Sequence, residues 1–170
     1  MKFSFMNIGK RYRLEEKFNK ADQDLKAGKI EAAVEAFEAI LKEDPTFGKA
    51  YNHLGWVFET KVRDFENAEK NYKLALEHSP AYTAVYKNYA ILLSTLGRFD
   101  DLKSLLEKAK DIPGMDKYTL YNEYAIMYEQ LEEYNMAVNY YRDAAKATMN
   151  DKIMRAAMDS IERCNIKMSL

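Results

Sequence analysis

Apolar residues recur along most of this chain in steps of three and four, the period that places side chains on one face of an α-helix. Leu14, Phe18, Ala21 and Leu25 are spaced four, three and four. Similar stripes predict paired helices near 12–27 and 30–43, 47–61 and 65–78, 82–95 and 99–111, and 116–130 and 134–147. Breaks at Gly28, Gly97 and Glu132-Glu133 mark the turns inside the pairs. Pro45, Pro80 and Pro113 follow the second helices, where a ring without an N–H cannot continue the backbone ladder. The turn at Lys61-Val62-Arg63-Asp64 reads one residue longer than the others. A ninth helix, near 151–165, carries Ile153, Ala157, Ile161 and Cys164 at helical spacing.

The stripes are copies of one another. Tyr51, Leu54, Gly55 and Phe58 return 35 residues later as Tyr86, Tyr89, Ala90 and Leu93, and after another 35 as Tyr121, Tyr124, Ala125 and Tyr128. The second helices repeat as well, through Ala33 and Phe37, Ala68 and Tyr72, Leu102 and Leu106, and Ala137 and Tyr141. Four second halves against three clear first halves imply a degenerate opening helix, which the Leu14–Leu25 stripe supplies. Small residues at Gly55, Ala90 and Ala125 allow axes to approach to about 8–10 Å. The aromatics fill the spaces that remain.

Tyr51-x-x-Leu54-Gly55-x-x-Phe58, with Ala68-x-x-x-Tyr72 and Pro80, resembles the tetratricopeptide repeat family over roughly 14–149. Lys17 and Lys20 replace an aromatic and a leucine in the first copy, and Leu102 replaces an alanine. The resemblance implies an all-α, right-handed superhelical solenoid of about four helix-turn-helix repeats with a C-terminal capping helix. The expected organisation is an arm over 1–13, repeats over 14–47, 48–82, 83–117 and 118–149, and a cap and tail over 150–170. It also implies a non-catalytic interaction module, an adaptor, scaffold or chaperone-like protein that holds a peptide or helix of a partner in a concave groove.

Transferred onto this sequence, the groove stripe is Phe18, Asp22 and Leu25, then Asn52, Trp56 and Glu59, then Lys87, Ile91 and Ser94, then Asn122, Ile126 and Glu129. The candidate partner-binding residues are Phe18, Asn52, Trp56, Lys87, Asn88, Ile91, Asn122 and Ile126. An asparagine offers donors and an acceptor to a peptide backbone, although a solvated surface places asparagines in the same way. Trp56 is the single tryptophan and either lines the groove as an anchor or packs on the neighbouring repeat. Where some family members hold a carboxylate-gripping clamp, this chain has Phe18, Asp22, His53, Ala84 and Asn88, so that clamp is not expected.

Composition narrows the chemistry. A formal net charge of −1 lacks the basic excess of a nucleic-acid or anionic-membrane binder. An RNA-binding helical repeat stays as a minor alternative, because pentatricopeptide proteins also use 35-residue helix pairs. The two histidines, His53 and His78, fall on different helices, and no phosphate-loop or metal-ligand motif is present. No enzyme, cofactor or metal is therefore expected. One cysteine, Cys164, forms no intrachain disulfide, and no run is long enough for a membrane span, so the expected compartment is cytoplasmic. Lys10, Arg11 and Arg13 form a small basic cluster, and Phe3, Phe5, Met6 and Ile8 are candidates for a lid on the first helix. Exposed Met149, Met154, Met158 and Tyr140 give a second hypothesis, a homodimer through the end helices.

Overall fold

The computed structural model describes residues 2–170, with side chains from Gly9 onward. Among the described residues there are nine α-helices and no strand. They are α1 (Lys2–Lys26), α2 (Ile30–Glu43), α3 (Gly48–Val57), α4 (Phe65–His78), α5 (Thr83–Thr95), α6 (Phe99–Ala109), α7 (Lys117–Gln130), α8 (Tyr134–Ala147) and α9 (Asp151–Met168). A π-helical turn, Phe58–Val62, extends α3. The helix order is the one the periodicity predicts. The difference lies at the start, where α1 begins ten residues before the expected 12, because residues 2–13 hold no proline to stop it. The suggested lid of Phe3, Phe5, Met6 and Ile8 lies outside the residues whose side chains are described.

The chain divides into two compact units, 1–85 and 86–170. In the first, α1 packs on α2, α2 on α3, and α3 on α4. Its core includes Leu14, Phe18, Phe37, Ile40, Phe47 and Leu54, with partly buried Trp56 and Phe58 against it. The Phe18 ring sits 5.7 Å from Phe37 and 5.6 Å from Phe47. A Cβ on Gly55 would fall 2.7 Å from Tyr72 ring carbons, so the glycine is what lets α3 approach α4 this closely.

In the second unit α6 packs on α7, α7 on α8, and α8 on α9. Ala125, Ala137, Val138, Tyr141 and Cys164 form one buried cluster. The Tyr140 ring stacks near-parallel on Tyr124 at 4.9 Å and on Tyr128 at 5.4 Å. The cap α9 is started by Asn150, whose side chain accepts from the N–H groups of Lys152 and Ile153.

The turns inside the pairs share one geometry and explain the extra residue seen in the sequence. Gly28, Arg63, Gly97 and Glu132 all have positive φ, at 80°, 64°, 67° and 61°. After three of them the next N–H reaches a carbonyl five residues back, Lys29 to Asp24, Arg98 to Leu93 and Glu133 to Tyr128, each at 2.9 Å. This is the bond that ends a helix with a left-handed residue. In the second pair Asp64 reaches six residues back, to Phe58, also at 2.9 Å. The inserted residue is absorbed as the π-helical turn, which leaves the following α4 in register.

Candidate functional site

The first helix of each pair presents the residues that the repeat singles out. In the first unit, Phe18 is 6% exposed and Asn52 only 2% exposed, so both belong to the packed interior. Phe18 is held there by its aromatic neighbours, including His53, whose ring meets it edge-on at 4.8 Å. Trp56 is half-buried, packs against the core, and carries the Lys61 ammonium over its ring at 5.2 Å. Its indole is thus shared between core packing and a cation–π contact.

Polar ties fix the neighbouring positions of this unit. Lys49 Nζ donates to both oxygens of Glu15 at 2.9 Å, and His53 Nε2 lies 3.2 Å from Asp22 Oδ1. The basic cluster before the first repeat is spent partly inside the molecule: Lys10 donates to the Glu43 carbonyl, and Arg13 and Lys17 both bind the Glu43 carboxylate. Those bonds hold Glu43 below the usual carboxylate range, through Lys17 first and Arg13 second.

The second unit keeps more of the stripe accessible. Lys87 is exposed, Ile91 is 41% exposed, and Asn88, Asn122 and Ile126 are half-buried. Ser94 on α5 donates to Gln130 Oε1 on α7 at 2.8 Å, tying the C-terminal ends of these two helices together. Beneath the polar residues lies Glu123, 6% exposed, which burial pushes up to about 7 despite the Lys87 charge and an Asn122 hydrogen bond. Ile91 and Ile126 are equivalent in the repeat but differ in burial: Ile91 stands exposed, while Ile126 packs against the second unit's buried cluster.

One apolar member of the 35-residue series is not legible from the motif. Ile161, on α9, lies 35 residues after Ile126 as Ile126 lies 35 after Ile91, and both pack against the second unit's cluster. The 35-residue spacing was the signal available. It was masked because α9 has Ser160, not alanine or glycine, at the place of Ala90 and Ala125.

Cys164 is buried, and burial first of all pushes its thiol up, so the sulfur is a packing group. Among the described residues, no three histidine, cysteine or acidic side chains gather in a metal-binding cluster, and no helix is long and apolar enough to cross a membrane.

The sequence profile of the tetratricopeptide repeat matches residues 31–163. Solved structures with the same fold include PilF of Pseudomonas aeruginosa, at 18% identity and TM-score 0.84 over 95% of this chain and 71% of that one. A thermophilic tetratricopeptide repeat protein of Thermus thermophilus aligns at 20% identity and TM-score 0.67, over 87% of this chain and 81% of its own. Yeast Tom70 aligns at 20% identity and TM-score 0.77 over 92% of this chain, which spans only 34% of Tom70.

Proposed function

The chain belongs to the tetratricopeptide repeat family, and from that premise we propose that it is a non-catalytic interaction module that binds a peptide or helix of a partner protein. The observation that carries the reading is the accessible face of the second unit. Ile91 stands 41% exposed on α5, in a repeat series with Ile126 on α7, and Lys87, Asn88 and Asn122 flank them.

An apolar centre with a polar rim is the arrangement in which side-chain anchoring supplies affinity and amides satisfy a bound backbone. Lys87 favours a partner with an acidic group near its apolar anchor. The Ser94–Gln130 hydrogen bond links the C-terminal ends of α5 and α7. In the first unit, Trp56 offers the corresponding apolar position, while Phe18 and Asn52 serve packing.

The test is affinity capture from the source lysate with wild type beside an Ile91→Glu, Asn122→Ala variant, with thermal melts run on both. A protein retained by wild type and lost by a variant of unchanged melting temperature supports the face. Equal retention by both overturns it.

A further inference from the structure

We propose that the outer face of α9 is a self-complementary surface through which two copies of this chain pair antiparallel. The surface is separate from the face of α5 and α7. A helix face turned to water is ordinarily polar. Here α9 leaves Met158 56% exposed and Ile166 55% exposed.

The rotation of α9 is fixed by its inner side. Ala157 and Cys164 are buried, and Arg163 and Lys167 both bind Glu129 of α7, at 2.7 and 3.0 Å. Asp151, Arg155, Met158, Glu162 and Ile166 then run along the outer side in steps of four, three, four and four, and the three charged residues among them are exposed. This is a stripe one helix can present to another.

Charge placement points to a second copy as the occupant. Arg155 lies three residues before Met158 and Glu162 four residues after it. A two-fold axis passing beside Met158, between antiparallel α9 helices, sets each Arg155 against the Glu162 of the other copy and brings the methionines together. Opposite charges spaced almost equally about an apolar residue are what an isologous contact requires, because residue i meets j and j meets i.

The experiment is sedimentation equilibrium of the full chain over a concentration series, with circular dichroism to verify helix content. Wild type is expected to show a monomer–dimer equilibrium. Arg155→Glu and Glu162→Arg, each alone, set like charges against each other and are expected to raise the dimer dissociation constant about fivefold or more. The double exchange, Arg155→Glu with Glu162→Arg, is expected to restore it, and Met158→Glu to abolish dimerisation. A wild-type chain that stays monomeric at the highest concentration overturns the proposal, as does a dimer indifferent to the single exchanges.

Discussion

The Tyr72 hydroxyl donates to the Glu59 carboxylate at 2.6 Å, buried between α4 and the end of α3. Tyr141 makes the same bond to Glu129 at 2.8 Å in the second unit. The two pairs differ in sequence separation, 13 residues against 12, and the difference is the residue taken up by the π-helical turn. The insertion sits between donor and acceptor, and the bond is kept. Burial raises Glu59 above the usual carboxylate range, and the Tyr72 hydrogen bond opposes that rise. Tyr72→Phe is therefore expected to destabilise the chain by about 1–3 kcal/mol at pH 7, with a smaller loss at pH 4 where Glu59 is protonated. Urea titrations at the two pH values check this. Adding Glu59→Met to the same variant is expected to recover most of the loss, because no unpaired acceptor remains.

Much of this was readable in the chain itself, and the failures have identifiable causes. The 35-residue returns of Tyr51, Tyr86 and Tyr121 locate the first helices, and the long turn at 61–64 announces the insertion that the structure shows as a π turn. Periodicity does not report how deeply a given face is buried. Phe18 and Asn52 occupy the same stripe as Lys87 and Asn122, yet the first two are buried, Phe18 within the first unit's aromatic core. An aromatic residue at 18 and the rings of Phe37, Phe47 and His53 close that position, whereas a lysine at 87 keeps its charge in water. Met158 and Ile166 were visible as apolar residues on a helix, but it takes the burial of Ala157 and Cys164, with the Glu129 ion pairs, to show that they face outward.

Gly55 is a position where one methyl group decides packing. Its equivalents are Ala90 and Ala125, so alanine suits the repeat in general. In the second pair an added Cβ meets Tyr72 ring carbons at 2.7 Å and the Ala68 carbonyl at 3.2 Å. Gly55→Ala is expected to cost about 1–3 kcal/mol through displacement of the Tyr72 ring, read as a lower urea midpoint. Tyr72 fluorescence or ring chemical shifts are expected to change with it.

The left-handed turn residues give predictions of opposite sign. Glu132 adopts φ 61° and carries a Cβ that this region disfavours, while Gly97 holds φ 67° in the corresponding turn. Glu132→Gly is expected to raise stability by about 0.5–1 kcal/mol, the relief of strain exceeding the entropy that glycine adds to the unfolded chain. Gly97→Ala is expected to lower it by about 1 kcal/mol. Thermal melts of the two variants, measured side by side, check the pair.

Glu123 makes the stability of the second unit fall as pH rises. Its folded value, near 7, lies above the ordinary carboxylate value of 4.5, because burial disfavours the charged form. The folded state then binds more protons than the unfolded state between those limits. Its contribution is fully present below about 4.5 and is lost as the pH climbs through about 7. Glu123→Gln keeps the shape and the neutral form, and is expected to stabilise the chain at pH 8 by on the order of 2 kcal/mol. At pH 4 the variant and wild type are expected to have similar urea midpoints. A variant less stable than wild type at pH 8 would refute this account.

Glu129 works in the other direction and controls the cap. Hydrogen bonds from Arg163 first, then Lys167 and Tyr141, draw its carboxyl down to about 2. Its stabilisation is therefore complete above the unfolded value near 4.5 and disappears as pH falls from there through about 2. The side chain is 11% exposed while its cationic partners are 49% and 41% exposed, so solvent screens part of the attraction. Glu129→Gln is expected to cost about 1–2 kcal/mol at neutral pH. Because both cations come from α9, the loss should be local, appearing as faster amide exchange over 151–168 with little change in α1 to α4. Acid below pH 4 is expected to produce the same pattern in wild type and to add little in the variant. If the variant instead exchanged faster across the whole second unit, Glu129 would be holding the α7–α8 pair and not merely the cap.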